Sequence, residues 1–187
     1  KLKTYADMIV EYSFDDDRIE LVEQMMQMFG SASGVTPQSK LSQTEINEFI
    51  KDIDFADEKQ KKAVVFALSR VGYPYSQAQR HSGKAYDCSS LAYYAWLDAG
   101  VDISYGGAST AGYEAQGLSE AGKEVTFDEM QPGDLIFFSY EETGGFRNIG
   151  HVGMYVGKGM FVDARGTKYG VVFREVPTSN IVFIGRP

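Results

Sequence analysis

The chain has 187 residues and a formal net charge of −8, with 43% hydrophobic and 13% aromatic residues. This composition is typical of a globular protein with one sizeable core, and no apolar run approaches the roughly 20 residues needed to span a bilayer. The negative charge argues against nucleic acid or anionic lipid as the main partner, because both require basic surfaces.

The N-terminal part of the chain has a helical pattern. Apolar residues recur at helical spacing over 5–12 and 17–29, and a loop is expected over 30–39. We therefore predict a small helical segment over 1–56 that docks on a larger region, 57–187. At about 55 residues, the first segment is marginal as an independent domain.

Two more helix starts follow from capping residues. Ser42 and Glu45 form a capping-box pattern, which predicts a short helix through Asp52. Asp57 is a favourable N-cap for a second helix that ends near Gly72.

Cys88 is the single cysteine of the chain, which excludes an internal disulfide and a zinc site built from several cysteines. Asp87, Ser89 and Ser90 are good N-cap residues, and helix formers occupy 91–99, so Cys88 is expected in the first turn of a helix. The positive end of a helix lowers the pKa of a thiol and favours the nucleophilic thiolate. The alternative role is that of a small buried hydrophobe.

His151 is the candidate general base. It lies in Gly-His-Val-Gly-Met-Tyr-Val-Gly, residues 150–157, which predicts a buried strand. A glycine-flanked turn over 157–159 leads into a second strand at 161–164, so Asp163 is expected close to His151, where it can orient the imidazole. The alternatives are a core histidine bonded to a backbone carbonyl and an aspartate that serves a turn or cap.

His81 is a competing base. It lies in the polar segment 76–84, and such loops usually leave a histidine in solvent, so it ranks below His151.

The remaining elements are predicted from apolar runs and turn residues. Strands are expected over 135–138, 171–176 and 181–184, and a hairpin-like loop over 139–148. The segment 104–116 is rich in Gly, Ser and Tyr and is expected to form a solvated loop at one rim of the site. In this rim, Tyr105 and Tyr113 are candidate substrate contacts.

Three motifs carry a family resemblance. Tyr-Asp-Cys-Ser-Ser-Leu at 86–91, Pro-Gly-Asp-Leu-Ile-Phe-Phe at 132–138 and the histidine motif at 150–157 resemble the NlpC family of bacterial cell-wall cysteine peptidases, from about Asp57 to the C-terminus. The resemblance implies a papain-like α+β fold, in which a helix bearing the nucleophile packs on an antiparallel sheet. It also implies hydrolysis of peptidoglycan stem peptides, typically between γ-D-glutamate and the diamino acid.

The resemblance assigns roles position by position. Cys88 matches the nucleophile and His151 the base, whereas Asp163 stands where the family most often has a histidine. A carboxylate there should raise the pKa of the base and shift the pH optimum. Tyr75 matches a tyrosine near the thiol and is a candidate oxyanion donor beside the backbone N–H of Cys88. A core tyrosine is the alternative.

Asp87 and Ser89 match positions that contact the stem peptide, including its free amino end, although either could be only a helix cap. Two other departures from the family are the polar residues 76–80 in place of a Gly-Gly pair and Ser90 in place of a glycine. They are expected to affect specificity more than the type of reaction.

The sequence thus predicts a secreted or cell-wall cysteine endopeptidase that needs no metal or cofactor. The chain opens at Lys1, so an export signal or anchor, and possible wall-targeting or glycosidase domains, are expected upstream. Two alternatives stay open. One is an amidase or acyltransferase with the same Cys-His pair, and the other is a catalytically silent wall-binding module.

Overall fold

The computed structural model describes residues 38–187. The predicted helices at 5–12 and 17–29 therefore lie outside the described residues. Within the described part, the α-helices are α1 (Gln43–Ile50), α2 (Glu58–Ser69), α3 (Cys88–Asp98) and α4 (Ala111–Glu120). Two short 3-10 turns occupy Phe127–Glu129 and Phe146–Asn148.

Five strands form a single antiparallel sheet. Its spatial order is β4-β3-β2-β1-β5, so the long hairpin of β2 and β3 lies in the middle. All three strands predicted from apolar runs and both strands of the hairpin are present, within one or two residues of their expected limits. The strands are β1 (Leu135–Phe138), β2 (His151–Gly157), β3 (Met160–Ala164), β4 (Val171–Glu175) and β5 (Ile181–Gly185).

Local capping explains where the first two helices begin. The Ser42 hydroxyl accepts a hydrogen bond from the Glu45 backbone, and the Glu45 carboxylate accepts one from the Ser42 backbone, which completes the predicted capping box. Asp57 caps α2 by accepting a hydrogen bond from the Gln60 backbone at 2.8 Å. Both predicted helix starts are confirmed.

Helices α2 and α3 pack against each other, and α3 also packs on β2 and β3. The main core lies in this helix–sheet interface, where Leu91, Ala95 and Trp96 of α3 are buried. The Trp96 indole donates a hydrogen bond to the Gly133 carbonyl at 3.1 Å, so its polar atom is satisfied inside the core. The predicted α+β fold, with the helix that begins at Cys88 packed on an antiparallel sheet, is confirmed.

Alternate side chains of the sheet form a second, smaller hydrophobic cluster. Its buried members are Ile136, Phe138, Phe161 and Ile184. Gly153 of β2 makes room for this cluster, because a Cβ at that position would overlap the Phe161 ring. A glycine of the histidine motif is therefore needed for packing.

The described part of the N-terminal segment docks on the larger region. The Gln38 side chain pairs with the backbone of Phe173 in β4, through hydrogen bonds of 3.2 Å and 2.6 Å. Lys158, in the β2–β3 turn, donates a 2.7 Å hydrogen bond to the Phe49 carbonyl of α1. The division of the chain after residue 56 stays a prediction.

The expectation of a loop over 104–116 is wrong for its second half. Thr110 caps α4, which continues through Glu120 despite two glycines. Tertiary packing accounts for this helix, because Ala115 and Leu118 are fully buried and α4 packs against β5.

From Gln38 onward, none of the helices has the length and apolar character needed to cross a bilayer.

Candidate active site

Cys88 is the first residue of α3, at the N-terminus of the helix. Asp87 is the N-cap, and its Oδ1 accepts a 2.8 Å hydrogen bond from the Ser90 backbone. The Ser90 hydroxyl in turn accepts a 3.0 Å hydrogen bond from the Asp87 backbone, which closes a capping box. Cys88 is 8% exposed, so this residue is largely buried, and it lies at the positive end of the helix dipole.

His151 is the first residue of β2, and its Nε2 lies 2.8 Å from Asp163 Oδ2. Both side chains are buried. The predicted proximity is confirmed, because the β2–β3 hairpin places Met154 opposite Val162 and brings Asp163 back beside the start of β2. The carboxylate holds the imidazole with a proton on Nε2, so any proton exchanged with a thiol must use Nδ1.

Arg174 of β4 completes this cluster and was missed by the sequence analysis. Its Nε donates to Asp163 Oδ1 at 2.9 Å and its Nη2 donates to Oδ2 at 2.8 Å, a bidentate arrangement. Burial raises the pKa of Asp163, but the charge of Arg174 and the hydrogen bonds from His151 and Arg174 outweigh it and hold that pKa well below its ordinary value. Asp163 is thus a carboxylate with two partners.

The contact between Arg174 and Asp163 could be predicted only from the register of β3 and β4. Arg174 lies opposite Phe161 in the β3–β4 ladder, two residues from Asp163, and such diagonal positions are within reach of a long side chain. The sequence gives no register for β4, so this contact required the structure.

An open cleft of about 380 Å³ lies at the start of α3. Cys88 forms part of its wall, together with Gly150, the residue before His151. Of the lining residues, Arg80 and Asp87 carry charge. The lining residues are Tyr75, Gln77, Arg80, Asp87, Cys88, Ser89, Thr110, Ala111, Gly112, Tyr113, Gln116, Gly145, Phe146, Ile149 and Gly150.

Tyr75 reaches this cleft from the segment before the nucleophile helix. Its backbone forms a short parallel bridge with that of Tyr86, which precedes Cys88 by two residues. The bridge therefore holds Tyr75 close to the start of α3. The ring is 5% exposed, and Gln77 donates a 3.4 Å hydrogen bond to its hydroxyl. The structure therefore places Tyr75 where a hydroxyl can face the cleft.

Asp87 and Ser89 also line the cleft, but both are engaged with the protein. Asp87 Oδ2 forms a 2.7 Å ion pair with Arg80 Nη1. The Ser89 hydroxyl donates to the carbonyl of Ser109, the residue before the N-cap of α4, at 3.0 Å. These two residues join the helix start to its neighbours.

The two rim tyrosines have different positions. Tyr113, in the first turn of α4, is 55% exposed and lines the cleft. Tyr105 is 45% exposed and is not among the lining residues, since its ring lies over Gly117 of α4. That Tyr105 and Tyr113 contact substrate stays a prediction.

His81, the competing base, does not line the cleft. Its Nδ1 lies 3.0 Å from the Tyr94 hydroxyl. The lower rank given to His81 agrees with this position. In the part of the chain that the structure describes, no three His, Cys, Asp or Glu side chains are grouped to hold a metal ion.

Comparison with known proteins identifies a family match and relatives that are named as peptidases. Residues 72–181 match the model of the NlpC/P60 family. A Mycobacterium tuberculosis protein named "probable endopeptidase" is 31% identical over 124 residues, which cover 66% of this chain and 28% of that protein. The Bacillus subtilis protein named gamma-D-glutamyl-L-lysine dipeptidyl-peptidase is 38% identical over 86 residues, covering 46% of this chain and 26% of that protein.

Among solved structures, NlpC1 of Trichomonas vaginalis aligns with a TM-score of 0.58 and 25% identity, over 72% of this chain and 46% of that one. The chain thus spans less than a third of the two curated relatives. The family match, by contrast, covers more than half of the chain and includes the Cys88 helix, the cleft and the His151–Asp163 hairpin. The chain belongs to the NlpC/P60 family.

Proposed function

We propose that this chain is a cysteine endopeptidase that hydrolyses peptide bonds in peptidoglycan stem peptides through a thioester on Cys88. The observation that carries the proposal is the position of Cys88 at the N-terminus of α3, in the wall of an open cleft. The strand packed against that helix begins with His151, whose Nε2 is bonded to the Asp163 carboxylate.

The reaction follows from these positions. His151 Nδ1 takes the proton of the Cys88 thiol, and the sulfur attacks the carbonyl carbon of the scissile amide. The C–N bond then breaks as the imidazolium returns its proton to the leaving amine, which leaves an acyl thioester. Water, deprotonated by the same imidazole, attacks the thioester and regenerates the thiol. Asp163 holds the Nε2 proton through both steps.

Two groups in the cleft wall are candidate donors to the oxyanion. The backbone N–H of Cys88 belongs to the first turn of α3, at the positive end of the helix. Tyr75 lies in the same cleft wall, and its backbone is paired with that of Tyr86, close to the start of α3. Together they provide the arrangement that stabilises negative charge on the carbonyl oxygen as it becomes tetrahedral.

The size of the cleft and its mixed polar and apolar lining suit a short peptide. Its volume is in the usual range for small-ligand sites, and its two charged residues, Arg80 and Asp87, neutralise each other. Ser89 and Tyr113 add neutral hydrogen-bonding groups. The name of the Bacillus subtilis relative supports the bond between γ-D-glutamate and the diamino acid as the one cleaved. Because this substrate belongs to the cell wall, the chain acts there, outside the cytoplasm.

Digestion of purified peptidoglycan fragments tests the proposal. Mass spectrometry of the products of L-Ala-γ-D-Glu-L-Lys and of the diaminopimelate analogue is expected to show L-Ala-D-Glu and the free diamino acid, and Cys88→Ala to abolish the cleavage. Cys88→Ser is the matched control, because it keeps a hydroxyl of similar size in place of the thiol and should lose most of the rate. Full turnover by Cys88→Ala would refute the nucleophile assignment, and release of a different product would refute the bond assignment.

A further inference from the structure

Arg80 links three parts of the site. Its Nη1 forms the 2.7 Å ion pair with Oδ2 of Asp87, the N-cap residue next to Cys88. Its Nη2 donates to the Ser109 hydroxyl at 2.8 Å and also to the Ser109 carbonyl, just before α4. The guanidinium therefore joins the segment after Tyr75 to the nucleophile helix and to the residue that precedes the N-cap of α4.

The position of Arg80 was not expected to matter for the reacting atoms. It lies in the polar stretch 76–80 that stands where the family has a Gly-Gly pair, and that stretch was assigned to specificity. In the structure, Arg80 instead reaches the carboxylate adjacent in sequence to Cys88, with 20% of its side chain exposed and only 4% of that of Asp87.

The ion pair between Arg80 and Asp87 sets the net charge at the residue that precedes Cys88. A carboxylate next to a thiol opposes formation of the thiolate, because two negative charges repel, and the buried position of Asp87 limits screening by water. A guanidinium on the same carboxylate cancels that repulsion. The helix N-terminus then acts on the sulfur with its positive end unopposed.

A second carboxyl group behind the pair does not disturb this balance. Glu114 of α4 is fully buried, and neither of its oxygens has a hydrogen-bond partner. Burial, followed by the charge of Asp87, raises the pKa of Glu114 well above its ordinary value, although the charge of Arg80 acts in the opposite direction. Burial therefore favours the neutral form of Glu114, and the two charges that face each other here are those of Arg80 and Asp87.

The other charged and titratable groups around the start of α3 are fixed by partners of their own. On the sheet, His151 is bonded to Asp163, and Asp163 to Arg174. At the end of α2, the Arg70 Nε donates to the Tyr86 hydroxyl at 3.0 Å. Arg80 is thus the cation that acts directly on the N-cap carboxylate.

We propose that Arg80 is a positioning residue that keeps Cys88 reactive by neutralising and holding the N-cap carboxylate of Asp87. The proposal rests on the role of Cys88 as nucleophile under the proposed function. It is tested on the thiol itself, without substrate, so its failure and the failure of the peptidase proposal are distinguishable.

The experiment measures the rate of alkylation of the folded protein by iodoacetamide as a function of pH. Cys88 is the single cysteine, so mass spectrometry reports on one site. We expect Arg80→Gln to move the midpoint of the profile upward by about one pH unit, the size of effect that a charge at close range produces. Arg80→Lys, which keeps the charge, should move it by less than half as much.

The double variant Arg80→Gln/Asp87→Asn separates charge from structure. Asparagine is as good an N-cap as aspartate, and the variant does not leave the Asp87 carboxylate buried without its cation, so it remains foldable even if Arg80→Gln alone does not. We expect its midpoint to return towards that of the wild type. If the double variant keeps the shift of Arg80→Gln, the effect is structural and the proposal is wrong.

Lys62→Gln is the matched control. Lys62 lies 3.6 Å from Asp98, the last residue of α3, so the variant removes a cation from the opposite end of the same helix. We expect no change in its alkylation profile. A shift equal to that of Arg80→Gln, or an unchanged profile in Arg80→Gln, would overturn the proposal.

Discussion

Replacing Arg174 with methionine tests the buried cluster of His151, Asp163 and Arg174. Asp163 is fully buried and accepts hydrogen bonds from Arg174 on both of its oxygens. Removing one partner of a buried ion pair costs about 3–5 kcal/mol, because the other charge is left uncompensated. Since 28% of the Arg174 side chain is exposed, we expect the lower end, about 3 kcal/mol. In a chain of this size, that loss lowers Tm by roughly 6–12 °C.

The same substitution should change the pH dependence of activity. With Arg174 in place, the charge of Asp163 is shared between the guanidinium and the imidazole. Without it, the carboxylate acts on His151 alone and favours the protonated ring. The limb of the pH–rate profile that reports His151 should therefore move to higher pH by about one unit. The measurement is kcat/KM on L-Ala-γ-D-Glu-L-Lys between pH 5 and 9.

Arg186→Met is the control for stability without chemistry. Arg186 makes the same bidentate contact with a fully buried aspartate, Asp134, at 2.9 Å for both hydrogen bonds, and its side chain is 31% exposed. It should lose a similar amount of stability and keep the pH profile of the wild type. If Arg174→Met leaves the profile unchanged, moves its limb to lower pH, or behaves as Arg186→Met does, the proposed coupling between Arg174 and His151 is refuted.

Two further predictions concern packing and burial around the site. Because the pKa of Glu114 is raised in the folded protein, the stability it contributes is complete below the ordinary glutamate pKa and is lost as pH rises through the folded value. Glu114→Gln should therefore raise Tm at pH 8 by at least about 3 °C, the shift given by 1 kcal/mol, and change it little at pH 4; equal effects at both pH values would contradict this. Gly153→Ala should cost about 1–3 kcal/mol in urea unfolding and reduce turnover, because the new Cβ would overlap Phe161 and lie 2.8 Å from Asp163 Cβ. Gly145→Ala, whose Cβ has its nearest neighbour at 3.6 Å, should leave stability within about 0.5 kcal/mol, and a loss as large as that of Gly153→Ala would count against the packing argument.

Short-range chemistry made much of the fold predictable from the sequence. N-cap residues located the starts of three helices, including the one at Cys88, because a cap bonds a backbone group only two or three residues away. The turn at 157–159 determined the β2–β3 hairpin, and with it the approach of Asp163 to His151. These inferences needed no knowledge of distant contacts.

The features that the sequence did not reveal depend on contacts between distant parts of the chain. Helix α4 contains two glycines and was expected to be loop, but packing against β5 outweighs its low helix propensity. The contact of Arg80 with Ser109 spans 29 residues, and that of Arg174 with Asp163 depends on the register of β4. Neither partner can be chosen from sequence until the strands and helices are assembled.

These long-range contacts also bear on whether the chain is an enzyme or a silent wall-binding module. Each residue that departs from the family pattern makes a contact in the structure that supports the proposed catalytic residues. Ser90, in place of glycine, closes the capping box on Asp87. Asp163, in place of histidine, is held ionised by Arg174 and forms a hydrogen bond with the imidazole of His151. Arg80, in the stretch that replaces the Gly-Gly pair, balances the charge beside Cys88. A module that only binds has no need for a balanced charge at the thiol or an oriented imidazole, so these compensating pairs favour the peptidase.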